Sequence, residues 1–364
     1  MNNQEKRLFK QLCSFQTGKV TEDALTAATP SVLGQIFYNR MQGVAYGVLM
    51  QNELLGQTNR EFRNSLKAAY EVNLEKNDSF FKCVDMVSDL LSNSHSPYAL
   101  LKGAALCRLY PAGYRTSNDI DLLTLPEMVS EIGDHLEQAG FRQGNIRNDV
   151  FTPATRQEII ASKMLRGETV PYIKEINLPG MKYLELDINF SLDYKNGDTE
   201  TLRNLLCSAA EKDFKGLRVR TLSEEDFFIH LCCHLYKEAT TFPWVKMHRD
   251  MTLYKYADIY LLLSIMDDVL LGTVFERAKQ MALEKECAFA VLQTAALFDV
   301  NNRNAIKTAE TILQKDPLFL HRVFAPQEKK TFLYDDINIE NRFYMERRED
   351  HLKEEKNNES IEYA

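Results

Sequence analysis

Hydrophobic residues recur at helical spacing through the first quarter of the chain. The spacing predicts helices from Ser31 to Met41 and from Leu66 through Leu91. The polar segment SNSHSP at positions 92–97 interrupts this pattern and predicts the first domain boundary. We therefore expect a helical N-terminal region at residues 1–95.

Alternation of polar and apolar residues replaces helical spacing after this segment. It predicts strands at positions 119–124 and 184–191, the latter being the clearest in the chain, and a short apolar run predicts a buried strand at 98–101. Helices are predicted between the strands, at positions 104–109 and 127–139. Interleaved strands and helices of this kind predict an α/β (α+β) core with a small mixed sheet at residues 96–222.

Helical spacing returns at Ser223 and continues through predicted helices at positions 252–266 and 283–297. It predicts a helical C-terminal domain at residues 223–345. The remaining residues, 346–364, are mostly charged or polar and are expected to form a charged tail, either a solvated helix or a frayed end.

Composition and charge narrow the classes of protein that the chain can represent. The 364 residues are 45% hydrophobic and 26% charged, which is ordinary for a folded globular protein. The net charge of −8 argues against binding of long nucleic acid, which requires clustered Lys and Arg. No apolar run approaches the roughly 20 residues of a membrane span, and the N-terminus lacks an apolar signal core. We expect a cytoplasmic protein with no membrane partner.

Three acidic residues occupy positions at which a metal-binding or catalytic site is expected. Asp119 and Asp121 lie two apart on a predicted strand, so their side chains share one face, about 6.5 to 7 Å apart at Cα. Asp187 occupies the same polar face of another predicted strand. If the two strands are neighbours, the three acids lie close together. Their negative charges repel one another, and a bound divalent cation would offset this repulsion. The alternative is a solvated acidic face on an edge strand.

The segment before these acids has the features of a phosphate-binding turn. LLKGA at positions 100–104 places Gly103 between a predicted strand and a predicted helix, where its backbone N–H can approach a phosphate. Arg115 and Ser117 then lead directly into the acidic strand.

The motif LLKGAALCRLYPAGYRTSNDIDLLT resembles the uncharacterised nucleotidyltransferase family of the DNA polymerase beta-like nucleotidyltransferase superfamily. That family has a strand ending in KG, an aromatic-Pro turn and then R-x-x-x-D-I-D, and ELDINFSL is similar to its later acidic strand. The resemblance extends over roughly residues 30 to 265 and is most specific at 98 to 125. Two positions depart from the pattern: Asn189 replaces a frequent His, and Ala104 follows Gly103 where Gly or Ser is usual.

The resemblance implies a role for each candidate residue. Asp119, Asp121 and Asp187 would be both the catalytic residues and the ligands of Mg²⁺ or Mn²⁺, with Asp187 helping to activate the acceptor hydroxyl. The implied nucleotide-binding residues are Lys102, Gly103, Arg115 and Ser117. Lys102 has an equal alternative, an ion pair with a strand acid, and Ser117 has another, a hydrogen bond that holds its turn.

The implied reaction is transfer of a nucleoside monophosphate from a nucleoside triphosphate, with ATP as the expected donor and pyrophosphate as the product. The acceptor is a hydroxyl or phosphate of an unidentified small molecule, peptide or protein. The alternative is a nucleotide-binding or regulatory protein that has the fold without the activity. A zinc site at His230 and His234 is a weaker hypothesis, because no further metal ligands follow at the required spacing.

Overall fold

The computed structural model describes residues 1–16, 18–92, 94, 96–192, 199–336 and 338–355, with the backbone alone at 165 and 166. Residue 95, at the predicted first boundary, lies outside the described residues. So does the end of the predicted charged tail, residues 356–364.

Helices form most of the described chain. In chain order they are α1 (Asn3–Leu12), α2 (Pro30–Tyr38), α3 (Gln42–Gln51), α4 (Arg60–Leu91), α5 (Gly103–Leu109), α6 (Val129–Gln138), α7 (Arg156–Arg166), α8 (Thr199–Cys207), α9 (Glu224–Thr240), α10 (Phe242–Lys246), α11 (Leu253–Ile265), α12 (Asp268–Gln280), α13 (Glu284–Leu297), α14 (Arg303–Leu313) and α15 (Ile339–Phe343). Short 3₁₀ turns occupy Asp23–Ala27, Pro126–Met128, Pro317–His321, Pro326–Glu328 and Arg348–His351.

The strands are shorter and belong to three sheets. They are β1 (Tyr98–Leu100), β2 (Asp119–Thr124), β3 (Arg142–Arg147), β4 (Val150–Pro153), β5 (Tyr172–Leu178), β6 (Met181–Asn189), β7 (Ala210–Phe214), β8 (Leu217–Thr221), β9 (Arg322–Ala325), β10 (Lys330–Tyr334) and β11 (Leu352–Glu354).

The chain divides into two compact units. One, the sheet unit, is Ala68–Phe227; the other, the split unit, consists of the described residues of Met1–Lys67 and Phe228–Tyr363. The four predicted segments, with boundaries after residues 95, 222 and 345, remain a prediction.

A six-stranded sheet forms the centre of the sheet unit, in the order β1-β2-β6-β5-β3-β4. Strands β2 and β6 are parallel, whereas the other neighbouring pairs are antiparallel. This mixed sheet among helices confirms the predicted α/β (α+β) fold class.

One face of this sheet is buried against helices. Ile120, Leu122, Leu186 and Ile188 are fully buried there, in one core with apolar side chains of α4 and α6 such as Phe80. Because successive side chains of a strand point to opposite faces, burial of these four positions leaves the intervening acidic positions on the other face.

The split unit contains strands that helical spacing did not predict. The three-stranded sheet β11-β10-β9 is antiparallel, and Val245, Val323 and Tyr334 form a small core beside it. Part of the predicted charged tail is folded here rather than solvated or frayed: β11 pairs with β10, and Arg348 is buried against Asp250. The high charge of this segment predicted solvation, because the partner of Arg348 lies 98 residues away in sequence.

The described helices include none that is both long enough and apolar enough to cross a bilayer.

Candidate active site

Backbone strain marks the step from β1 to α5. Lys102 has φ 46° and ψ −114°, in the half of conformational space that favours glycine. Two hydrogen bonds of 2.8 Å hold this part of the backbone. The Leu101 N–H donates to the Asp121 carbonyl, and the Leu106 N–H donates to the Lys102 carbonyl. Strain that neighbouring contacts maintain in this way is typical of functional sites.

Gly103 is fixed by a close contact with the turn that precedes β2. A Cβ atom at this position would lie 2.7 Å from both Cβ and Oγ of Ser117, too close for any larger residue without a shift. The two predicted nucleotide-binding residues Gly103 and Ser117 are thus adjacent in the fold. Their contact with a nucleotide remains a prediction.

The three predicted acids lie on neighbouring parallel strands. In the register of β2 and β6, Asp121 is opposite Asp187 and Asp119 is opposite Glu185. All four side chains therefore share the face of the sheet away from the core. The alternation around each acid predicted its face correctly, but Glu185 is an additional acid in the cluster.

Lys102 neutralises one of these acids. Its Nζ lies 2.8 Å from Oδ1 of Asp121, and the two side chains are 20% and 10% exposed. Of the two alternatives for Lys102, the structure contains the ion pair with a strand acid.

The turn residues before β2 are also engaged within the protein. The Ser117 hydroxyl donates a hydrogen bond of 2.7 Å to Oδ1 of Asp119, so it orients the first acid of the strand. The Arg115 guanidinium donates to the carbonyl of Thr116. Both side chains thus stabilise the local turn in this structure, and their predicted phosphate contacts remain untested.

Charges in the cluster shift the pKa values of two acids in opposite directions. Burial alone would raise the pKa of Asp119, but the hydrogen bond from Ser117 and the charge of Lys102 hold it below its usual value. Burial, followed by the charges of Asp121 and Asp119, raises the pKa of Asp187 well above its usual value. The carboxylates are gathered more closely than the nearby cations can neutralise.

Glu168 is a further acid near Asp187 that the sequence reasoning missed. The loop after α7 pairs with the end of β6 through hydrogen bonds from the Thr169 N–H to the Ile188 carbonyl and from the Phe190 N–H to the Gly167 carbonyl, both 2.9 Å. This pairing sets Glu168 opposite Asn189, and its charge contributes to the raised pKa of Asp187. No sequence motif surrounds Glu168, so only the tertiary fold identifies it.

Two asparagines of α4 hold the loop that carries Arg115. The side-chain amide of Asn73 donates to the carbonyl of Gly113, and that of Asn77 donates to the carbonyl of Arg115, each at 3.0 Å. Both asparagines are nearly fully buried. Sequence reasoning missed them as well, although two amides four residues apart on an otherwise apolar helical face were a usable signal.

The donor atoms suit a hard divalent cation, but they are not arranged around one. Among the described residues, no group of three or more His, Cys, Asp or Glu side chains is placed to hold a metal ion. Asp121 is bound to Lys102 and Asp119 to Ser117. Carboxylate oxygens are the ligands that Mg²⁺ prefers, so the residues fit such an ion once Lys102 moves away from Asp121.

The two histidines of the zinc hypothesis belong to a different polar cluster, in the split unit. Their rings are stacked 6.4 Å apart, and His234 Nε2 lies 3.1 Å from a carboxylate oxygen of Glu238. Nζ of Lys255 lies 2.6 Å from the same oxygen. Among the residues that the structure describes, no group of three or more ligands is assembled here to hold zinc, so the arrangement does not support a zinc site.

The structure places a strand–glycine–helix step beside acids on adjacent parallel strands, as the resemblance of the sequence motif implies. The sequence profile described as "uncharacterised nucleotidyltransferase" matches residues 29–299, more than half of the chain. The chain belongs to this family, and the predicted family and enzyme class are thereby confirmed.

Two solved structures show distant similarity to the chain. The first is a crystal structure of an antigenic nucleotidyltransferase-like protein from Paracoccidioides brasiliensis, with 14% identity, 66% of this chain and 90% of that chain covered, and a TM-score of 0.37. The second is the solution structure of the antibiotic-resistance factor ANT(2'')-Ia, with 14% identity, 57% and 96% covered, and a TM-score of 0.33. No curated protein sequence matches the chain significantly.

Proposed function

We propose that the protein transfers a nucleoside monophosphate, AMP from ATP, to a hydroxyl or phosphate of a small molecule, peptide or protein, and releases pyrophosphate. The observation that carries this proposal is the register that sets Asp121 opposite Asp187, with Asp119 on the same face. Family membership supports the reaction class and leaves the acceptor open.

Asp119, Asp121 and Asp187 would hold Mg²⁺ or Mn²⁺. When bound, such ions neutralise phosphate charge and polarise the oxygens of an in-line displacement at phosphorus. The raised pKa of Asp187 supports this assignment, because a cation offsets the repulsion that makes its ionisation unfavourable.

The remaining candidates would act on the nucleotide. Lys102, once released from Asp121, and Arg115 supply positive charge to the triphosphate, and Gly103 with Ser117 forms the narrow turn against which a phosphate rests. The acceptor oxygen forms a bond to the α-phosphorus as the bond to the pyrophosphate oxygen breaks. For a hydroxyl acceptor, the Asp187 carboxylate takes the hydroxyl proton. Most of the rate would come from positioning and charge neutralisation.

The test is incubation of the protein and a cell extract with each α-labelled nucleoside triphosphate and Mg²⁺ or Mn²⁺. Mass analysis then identifies products that have gained a nucleoside monophosphate. We expect ATP to label one acceptor class, and Asp187→Asn to reduce labelling by at least about a hundredfold. Glu175→Gln, which removes an exposed carboxylate from β5, is the matched control and should label normally.

Asp187→Asn also has an expected effect on stability. The folded protein holds the Asp187 proton to a higher pH than the unfolded chain does, so the free energy of unfolding falls as pH rises between the two pKa values. Removing this carboxylate should therefore leave the melting temperature at pH 7 without metal unchanged or higher. A large fall in the melting temperature of this variant would mean that Asp187 is structural. A wild type that melts normally and binds ATP but labels no acceptor would favour the nucleotide-binding alternative.

A further inference from the structure

Arg342 of α15 is a buried cation without an ion pair. Its side chain packs against the ring of Tyr334, with the guanidinium carbon 4.6 Å from the ring centroid, and only 3% of the residue is exposed. Its Nε is buried and donates no hydrogen bond, and no carboxylate of the described chain forms an ion pair with it. An arginine cannot shed its proton, so this charge stays in the split unit.

A cavity opens beside this guanidinium. Its walls include Arg342, Arg322, Tyr256 and Gln293. The space open to the centre of a water-sized sphere is about 10 Å³, which is room for one water molecule or one monatomic ion.

The carboxylates around this cavity are already engaged by other cations. Asp250, on the cavity wall, receives two short hydrogen bonds from Arg348, from Nε at 3.0 Å and from a terminal nitrogen at 2.7 Å. Arg322, also on the wall, binds Asp316 at 2.8 Å and Glu355 at 3.2 Å. Arg342 is therefore the cation of this cavity with which no described carboxylate forms an ion pair; Asp250 and Asp336 act on its charge only from a distance.

We propose that the cavity binds a chloride-sized monovalent anion, held by the guanidinium of Arg342. A water molecule would satisfy the open donors but would leave the guanidinium without a counter-ion in contact, and burying a charge without a paired partner is costly. A tetrahedral oxyanion exceeds the available space. The anion would fasten α15 to β10 and α13, whose side chains Tyr334 and Gln293 line the same cavity.

The first test measures melting temperature in sodium chloride and in sodium gluconate at equal ionic strength. Chloride should raise the melting temperature of the wild type along a saturating curve, by about 3 °C at a hundredfold excess over the dissociation constant. Arg342→Met should remove this increase. Arg347→Met, at an exposed arginine five positions away, should retain it. A wild type that melts identically in both salts, or an Arg342→Met variant that keeps the chloride effect, would overturn the proposal.

The second test uses the unaltered protein, so it does not depend on whether a variant folds. Crystals grown in sodium bromide should give an anomalous peak in contact with the Arg342 guanidinium. A water molecule at that position, or bromide bound only at the surface, would refute the site. Stabilisation through Arg342 by sulfate instead of chloride would contradict the size argument.

Discussion

Lys102 combines a strained backbone with a charge placed on a proposed metal ligand. Its ammonium group lies 2.8 Å from Asp121, and its backbone φ is 46°. In the proposed metal site, a divalent cation and this ammonium group would therefore compete for the same carboxylate. Entry of the ion would release Lys102 toward the phosphates that arrive with it.

This competition predicts that Lys102→Met tightens binding of metal alone. Without nucleotide, Mn²⁺ should bind the variant about five to ten times more tightly than the wild type, since loss of a partly buried ion pair is worth about 1 kcal/mol. Electron paramagnetic resonance of free Mn²⁺ measures this directly. Lys82→Met, at an exposed lysine of α4, should leave the affinity unchanged. Weaker Mn²⁺ binding in Lys102→Met would show that the two cations do not compete.

At the scale of single elements, helix α4 organises the loop before β2. The ring of Tyr70 lies so close to Gly113 that a Cβ there would be 2.6 Å from it, and the Asn73 and Asn77 amides hold two successive parts of the loop. Tyr70, Asn73 and Asn77 are separated by three and then four residues, so their side chains form one row along the helix. The row determines where Arg115 lies relative to the acids.

Asn77→Ala should therefore lower stability and loosen the loop. The Arg115 carbonyl would lose its donor, which costs about 1 to 3 kcal/mol for a buried group, although alanine favours the helix itself. Urea unfolding measures the loss, with Glu75→Ala on the exposed side of α4 as the control. If both variants unfold at the same urea concentration, the hydrogen bond does not hold the loop.

Strands β2 and β6 could be predicted from sequence because their alternation is set locally: one face is core and the other is polar. The same reasoning identified the shared face of Asp119, Asp121 and Asp187. Contacts between distant segments could not be predicted in this way. Glu168 reaches the cluster through a loop that pairs with β6.

At the scale of the whole chain, pH should act on stability through His321 of the split unit. Burial, followed by the charge of Arg342, lowers the pKa of His321 to about 4. The unfolded chain takes up a proton near pH 6.5, so stability is fully present above that pH and declines as pH falls toward 4.

His321→Gln should make stability depend less on pH over this range. The fall in melting temperature between pH 7 and pH 5 should be smaller in the variant than in the wild type, while His135→Gln in the sheet unit serves as the control. An unchanged profile would show that His321 does not account for the loss.

The split unit also shows where sequence reading fails over long separations. Charged residues near the C-terminus indicated a solvated tail, yet Arg348 is buried against Asp250. A charge pattern alone cannot distinguish a solvated residue from one whose partner lies 98 positions away. The strands β9 to β11 were missed because they are short and follow a long helical stretch.

The row on α4 has a consequence for how this sequence can change in length. A single inserted or deleted residue between Tyr70 and Asn77 would turn one part of the row by about 100° relative to the other. One asparagine would then face away from the loop, and no substitution elsewhere on the helix would restore both contacts. Among related sequences, gaps should accumulate in the connections between strands, whereas the interval from Tyr70 to Phe80 should keep a constant number of residues.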